Sequence, residues 1–100
     1  MATAYVTEFQ GLGSDPNGSV QAVAGPPLAE QTVVIGVGSA QSAAFQPTTT
    51  VVRVHVDAIC SFKIGGANPV ATASSARMIA GQTEYFRVQP GDKVAVITNT

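Results

Sequence analysis

Arg53, His55 and Asp57 stand at alternate positions within the run Val51–Ile64. On an extended strand they share one face, with neighbouring heads about 6–7 Å apart. A ladder of this kind could orient an imidazole for proton transfer or supply part of a metal shell. Neither chemistry is completed by the rest of the chain. His55 is the single histidine and Cys60 the single cysteine, so a zinc set would have to be finished by carboxylates from other strands. A His–Asp pair two residues apart on a strand lies side by side, and no nucleophile is marked beside it. The triplet reads better as a solvated or subunit-facing sheet surface. Cys60 falls on the apolar parity of the same run and reads as a buried structural thiol, and a lone cysteine forms no internal disulfide. Gly11-Leu12-Gly13 and Gly36-Val37-Gly38 do not continue into a phosphate-binding fingerprint. Asn17-Gly18-Ser19 matches a glycosylation triplet, but with no secretory signal it reads as a tight turn. The chain is expected to be non-enzymatic, with no cofactor and no bound metal.

The elements that would hold these side chains are strands. Val52, Val54, Val56, Ala58, Cys60, Phe62 and Ile64 share one parity, while Arg53, His55, Asp57, Ser61 and Lys63 share the other. This alternation predicts one long strand over 51–64 with an apolar and a wet face. Shorter strands are predicted at Ala4–Phe9, Val20–Ala24, Thr32–Val37, Val70–Thr72 and Arg77–Ala80. The near-continuous Val33, Val34, Ile35 and Val37 suggest burial on both faces of the third of these. Residues 11–18 read as a turn around Pro16 and Gly18, and 38–50 as a loop or short strand anchored by Phe45. Glu84–Gln89, Pro90-Gly91 and Lys93–Thr98 read as a hairpin with a type II turn, Gly91 taking the positive φ. That register puts Phe86 and Val88 on one side and Tyr85 and Arg87 on the other. Seven or eight short strands and no useful amphipathic helix predict an all-β, single-domain antiparallel β-sandwich of jelly-roll or Greek-key type over residues 1–100. Residues 1–9 are a candidate N-terminal arm or exchanged strand.

Charged residues make up 11% of the chain and the net charge is −1, against about 25% charged in ordinary soluble proteins. A surface of Ala, Ser, Thr, Gln and Gly is cheap to desolvate and suits contact with other copies or a partner, although a bland monomer has the same composition. No basic patch marks a nucleic-acid or anionic-membrane partner. No apolar run reaches membrane-spanning length, and Met1-Ala2-Thr3 does not open a signal peptide. Synthesis in a cytoplasm is therefore expected. All five basic residues (Arg53, Lys63, Arg77, Arg87, Lys93) lie beyond position 52, whereas Glu8, Asp15 and Glu30 lie before it. The two halves thus carry complementary charge, within one chain or between neighbours.

Ala80–Ile97, with its aromatic strand, Pro90-Gly91-Asp92-Lys93 turn and closing Val/Ala/Ile strand, resembles the end of small capsid decoration or cement proteins of tailed bacteriophages. The alternating run Val52–Phe62 and the Gly/Asn/Pro loop after it resemble the same family, so the likeness covers residues 51–98. The resemblance implies a virion structural protein on the capsid surface, made in the host cytoplasm. Its partners would be the major capsid protein and its own copies, as a dimer or trimer, with no nucleic acid and no membrane. An arm formed by Ala4–Phe9 would add to a neighbour's sheet edge, making Tyr5, Val6 and Phe9 assembly residues beside Arg53, His55 and Asp57 on the wet face. Competing readings are a head–tail or tail component, and a small sugar-binding sandwich in which Tyr5 and Tyr85 would be the stacking residues.

Overall fold

The computed structural model describes residues 2–16, 18–23 and 25–99, with backbone alone for 14, 15, 18–21 and 23. Among the described residues ten strands follow one another: β1 (Thr3–Phe9), β2 (Leu12–Asp15), β3 (Gly18–Val23), β4 (Ala29–Val34), β5 (Ala40–Gln41), β6 (Val51–Val56), β7 (Cys60–Gly65), β8 (Ala76–Met78), β9 (Thr83–Arg87) and β10 (Lys93–Thr98). They form two four-stranded antiparallel sheets, ordered β4-β1-β6-β9 and β5-β10-β7-β8, and a separate β2-β3 ribbon. The all-β sandwich expected from the alternation is what the chain builds. Among the described residues no helix is long and apolar enough to cross a membrane.

One valine-rich core lies between the sheets. Val6, Val33, Val52, Val54 and Val56 meet Cys60, Met78, Val94 and Val96, and Phe45 plugs in from a loop. Phe62 on β7 and Phe86 on β9 bridge the two layers with ring centroids 5.2 Å apart and tilted by 49°. Inward β-branched side chains fit a pleated surface with few free rotamers, which is how a chain with no Trp fills a sandwich.

Several local expectations change once partners are known. The run 51–64 is two strands in different sheets. Its apolar parity continues, but at Asp57–Ile59 the chain crosses the sandwich. The Asp57 amide donates to the Thr3 carbonyl (3.2 Å), and its carboxylate accepts from the Thr3 amide (2.6 Å). These bonds hold Asp57 against the start of β1. The strand expected over Thr32–Val37 is β4, which ends at Val34 and is an outer strand of its sheet, buried on one face only: Val33 is buried, while Val34 is 51% and Val37 93% exposed. Residues 70–72 are loop, and residues 12–15 are a strand of the ribbon. Within the turn expected over residues 11–18, Asn17, and with it part of the Asn17-Gly18-Ser19 triplet, lies outside the described residues, as does Ala24.

The final unit is not a hairpin. β9 pairs with β6 in one sheet and β10 with β7 and β5 in the other, so Gln89–Asp92 is a corner between layers. The turn chemistry survives the change. The Asp92 amide donates to the Gln89 carbonyl (3.1 Å), the Asp92 carboxylate accepts from the Gln89 amide (3.0 Å), and Gly91 has φ +86°. Replacing Gly91 by Ala should cost about 1–2 kcal/mol, the penalty of the left-handed region for a Cβ-bearing residue. No neighbouring atom lies within 4 Å of an added Cβ, so the loss read by denaturant unfolding isolates backbone strain from steric clash.

The first strand is likewise no free arm. β1 is an inner strand, paired along Thr3–Glu8 with β4 and along Ala4–Phe9 with β6. Val6 and Phe9 are buried in the domain; of the three expected assembly residues on β1, only Tyr5 (45% exposed) offers a side chain to a partner.

Candidate binding face

The two sheets differ in what covers their outer faces. On the β5-β10-β7-β8 sheet, Ser61 and Ala95 point outward by parity yet are fully buried. The segment 66–75 lies over them. Pro69 sits where a Cβ on Gly65 would be 3.7 Å from it, and the Ala71 amide reaches the Ser39 hydroxyl (3.0 Å) across the sheet. Asn99 ties the return path, its amide donating to the Ser61 hydroxyl (2.6 Å) and the Ala73 carbonyl (3.2 Å). Glycine, alanine and serine at 65, 95 and 61 are the small residues such a close approach requires. The sequence's Gly/Asn/Pro loop is therefore a cover.

The outer face of the β4-β1-β6-β9 sheet carries exposed aromatic side chains. The register aligns Thr32, Tyr5, His55 and Thr83 in one row across the four strands, and Glu30, Thr7, Arg53 and Tyr85 in the next. Tyr5 and Tyr85 are 45% and 54% exposed, and Val34 adds apolar surface at 51%. Tyr5 leans toward His55, ring centroids 6.2 Å apart, and the His55 Nδ1 is 2.7 Å from the Thr83 hydroxyl. That bond fixes the ring on the sheet. An open groove runs along β1 and β4, lined by Tyr5, Val6, Thr7, Glu30, Gln31 and Thr32. Arg53 and His55 thus share a face as expected, the Asp57 carboxylate is engaged by the Thr3 amide, and Tyr85 arrives from an element remote in sequence.

Among the described residues no three of His, Cys, Asp and Glu gather to hold a metal ion. Cys60 is buried, and desolvation raises the pKa of its thiol above the ordinary value, which disfavours the reactive thiolate.

Sequence reasoning passed over Glu8. It shares the inward parity of Ala4 and Val6 and is 1% exposed. Its Oε1 accepts from the Gln46 amide and the Thr49 hydroxyl, both at 2.8 Å, and its Oε2 from the Gln31 side-chain amide at 3.3 Å. Gln31 in turn holds the Ala43 amide at 2.8 Å. The carboxylate thereby pins the 42–50 loop over one end of the sandwich, where Phe45 enters the core. The parity of Ala4, Val6 and Glu8 was the available signal.

Compared with protein-family models, curated proteins and solved structures, the chain matches none.

Proposed function

We propose that this chain is a non-enzymatic virion structural protein that decorates the outer surface of a bacteriophage capsid lattice and braces it. The carrying observation is the uncovered β4-β1-β6-β9 face, with two exposed tyrosines, on a chain of which only 11% is charged. Tyrosine and arginine are favoured in protein interfaces and lysine is not; this face has Arg53 and Arg87, while both lysines, Lys63 and Lys93, belong to strands of the other sheet. The resemblance of residues 51–98 to decoration proteins supports the same reading and supplies the major capsid protein as partner. Weak individual contacts suffice on a lattice, because many linked copies multiply small affinities.

The test is cosedimentation with empty capsids of the virus whose genome encodes the chain. Saturable binding at a fixed number of copies per capsid is expected; protein left in the supernatant at all concentrations would refute the reading. One observation favours a second reading. Tyr5 and Tyr85 share a face, as stacking residues of a carbohydrate-binding sandwich would, so binding on a glycan panel that is lost in Tyr85→Ala would replace the first.

A further inference from the structure

We propose that the uncovered β4-β1-β6-β9 face packs against the same face of a second copy, about a two-fold axis that runs parallel to the strands between β1 and β6. This deepens the decoration reading, on which its biological setting rests, by naming the contact within the oligomer. A two-fold interface is self-complementary, each patch meeting its own copy, so the distribution of charge on the face selects the axis. Of the carboxylates on these strands, Glu30 stands on the outer parity and belongs to the outer strand β4, while Glu8 and the exposed Glu84 stand on the inward parity, opposite Val52 and Val54. The cations Arg53 and Arg87, with His55, belong to the opposite half, β6 and β9.

An axis perpendicular to the strands lays β4 on β4 and β6 on β6. Glu30 would then fall near its own copy, and Arg53 and His55 near theirs. An axis parallel to the strands lays β4 on β9 and β1 on β6. Each row is then kept but reversed, so Glu30 comes over the Tyr85–Arg87 end of the partner. Arg53 comes over the partner's Thr7, and His55 over the partner's Tyr5. The second arrangement brings the acid Glu30 to the end of the partner that carries Arg87 and lays the imidazole of His55 over the phenol ring of Tyr5. Aligned sheet packing, with strands within about 30° of each other, allows it.

Size sets the strength. Four strands about 4.8 Å apart and six residues at about 3.3 Å give a footprint of about 400 Å² per copy. That is about half of a standard interface at ~800 Å² per partner. The dimer is accordingly concentration-dependent, with a dissociation constant in the micromolar to millimolar range.

Light scattering across a hundredfold concentration range reaching about 1 mM reads the mass. The wild type should rise from 10.2 kDa toward twice that value. Tyr85→Glu, at an exposed position, should hold the mass at that of one chain with an unchanged melting temperature. Glu30→Arg and Arg87→Glu should each weaken association roughly three- to tenfold, because symmetry applies every change twice, and the double charge swap should restore it. A wild type that stays at 10.2 kDa, or a dimer indifferent to Tyr85→Glu and Tyr5→Glu, would overturn the proposal. So would a monomer whose capsid or glycan binding is lost in Tyr85→Glu, which would assign the face to that other occupant. A dimer that meets these tests but does not sediment with capsids would uphold the interface and reject the decoration role.

Discussion

A chain lacking residues 1–9 will not fold. β1 is the inner strand that β4 pairs with, and it also pairs with β6, so its removal strips two ladders and leaves β4 without a place in the sheet. Buried Ala4, Val6 and Phe9 leave the core with it. Val6 and Phe9 alone are worth about 3–6 kcal/mol at roughly 1.5–3 kcal/mol each. A domain of this size has about 5–15 kcal/mol in total, and the lost ladders come on top. The expected result is a far-UV circular dichroism spectrum without sheet signal and no cooperative thermal transition. A truncated chain that melts cooperatively would show that the strand is dispensable to the domain and free to act elsewhere.

The second large effect is expected at Glu8. In Glu8→Ala the Thr49 hydroxyl and the Gln46 amide lose a charged acceptor 2.8 Å away, inside a region where Thr49 is fully buried. Hydrogen bonds to a charged group contribute about 1.5–3 kcal/mol each, and a buried donor left unpaired costs a further part of its desolvation. A loss of roughly 3–5 kcal/mol is expected, large beside the total stability. Glu8→Gln keeps one carbonyl acceptor in place for both donors at the Oε1 position, and should lose less than half as much. Urea unfolding of the pair reads the difference, with Phe45 release from the core as the structural consequence. Equal stability of Glu8→Ala and wild type would show that the loop is held without the carboxylate.

What could be read from the residues was local. Alternation from Val52 to Ile64 revealed strand and inward face correctly, because side-chain parity is a property of the extended backbone itself. It could not reveal the crossing at Asp57–Ile59, since parity runs through the corner unchanged and the partner that holds Asp57, Thr3, is 54 residues away. Gly91 was legible for the same local reason: a type II turn asks for positive φ whichever strands it joins. The choice between hairpin and corner lay with β6 and β7, the partners of β9 and β10, and no nearby residue records it. Val34 and Val37 misled because an apolar run looks alike whether both faces are covered or one is left bare for a partner.

The candidate face was half visible. Arg53 and His55 shared a parity on one strand, but Tyr5 and Tyr85 join them only through the β1-β6-β9 pairing. Glu8 was legible in parity and was passed over because acids are rarely buried. The cover over the other sheet rests on Gly65, Ala95 and Ser61, small residues whose meaning appears only when a loop is seen to lie on them.

The most direct measurement of the proposed bracing role is the thermal disruption of empty capsids of the virus proposed to encode the chain, followed by light scattering with and without the chain at saturating concentration. Bracing requires that the disruption temperature rise with occupancy and level off when the sites are full. An unchanged disruption temperature at saturation would contradict it.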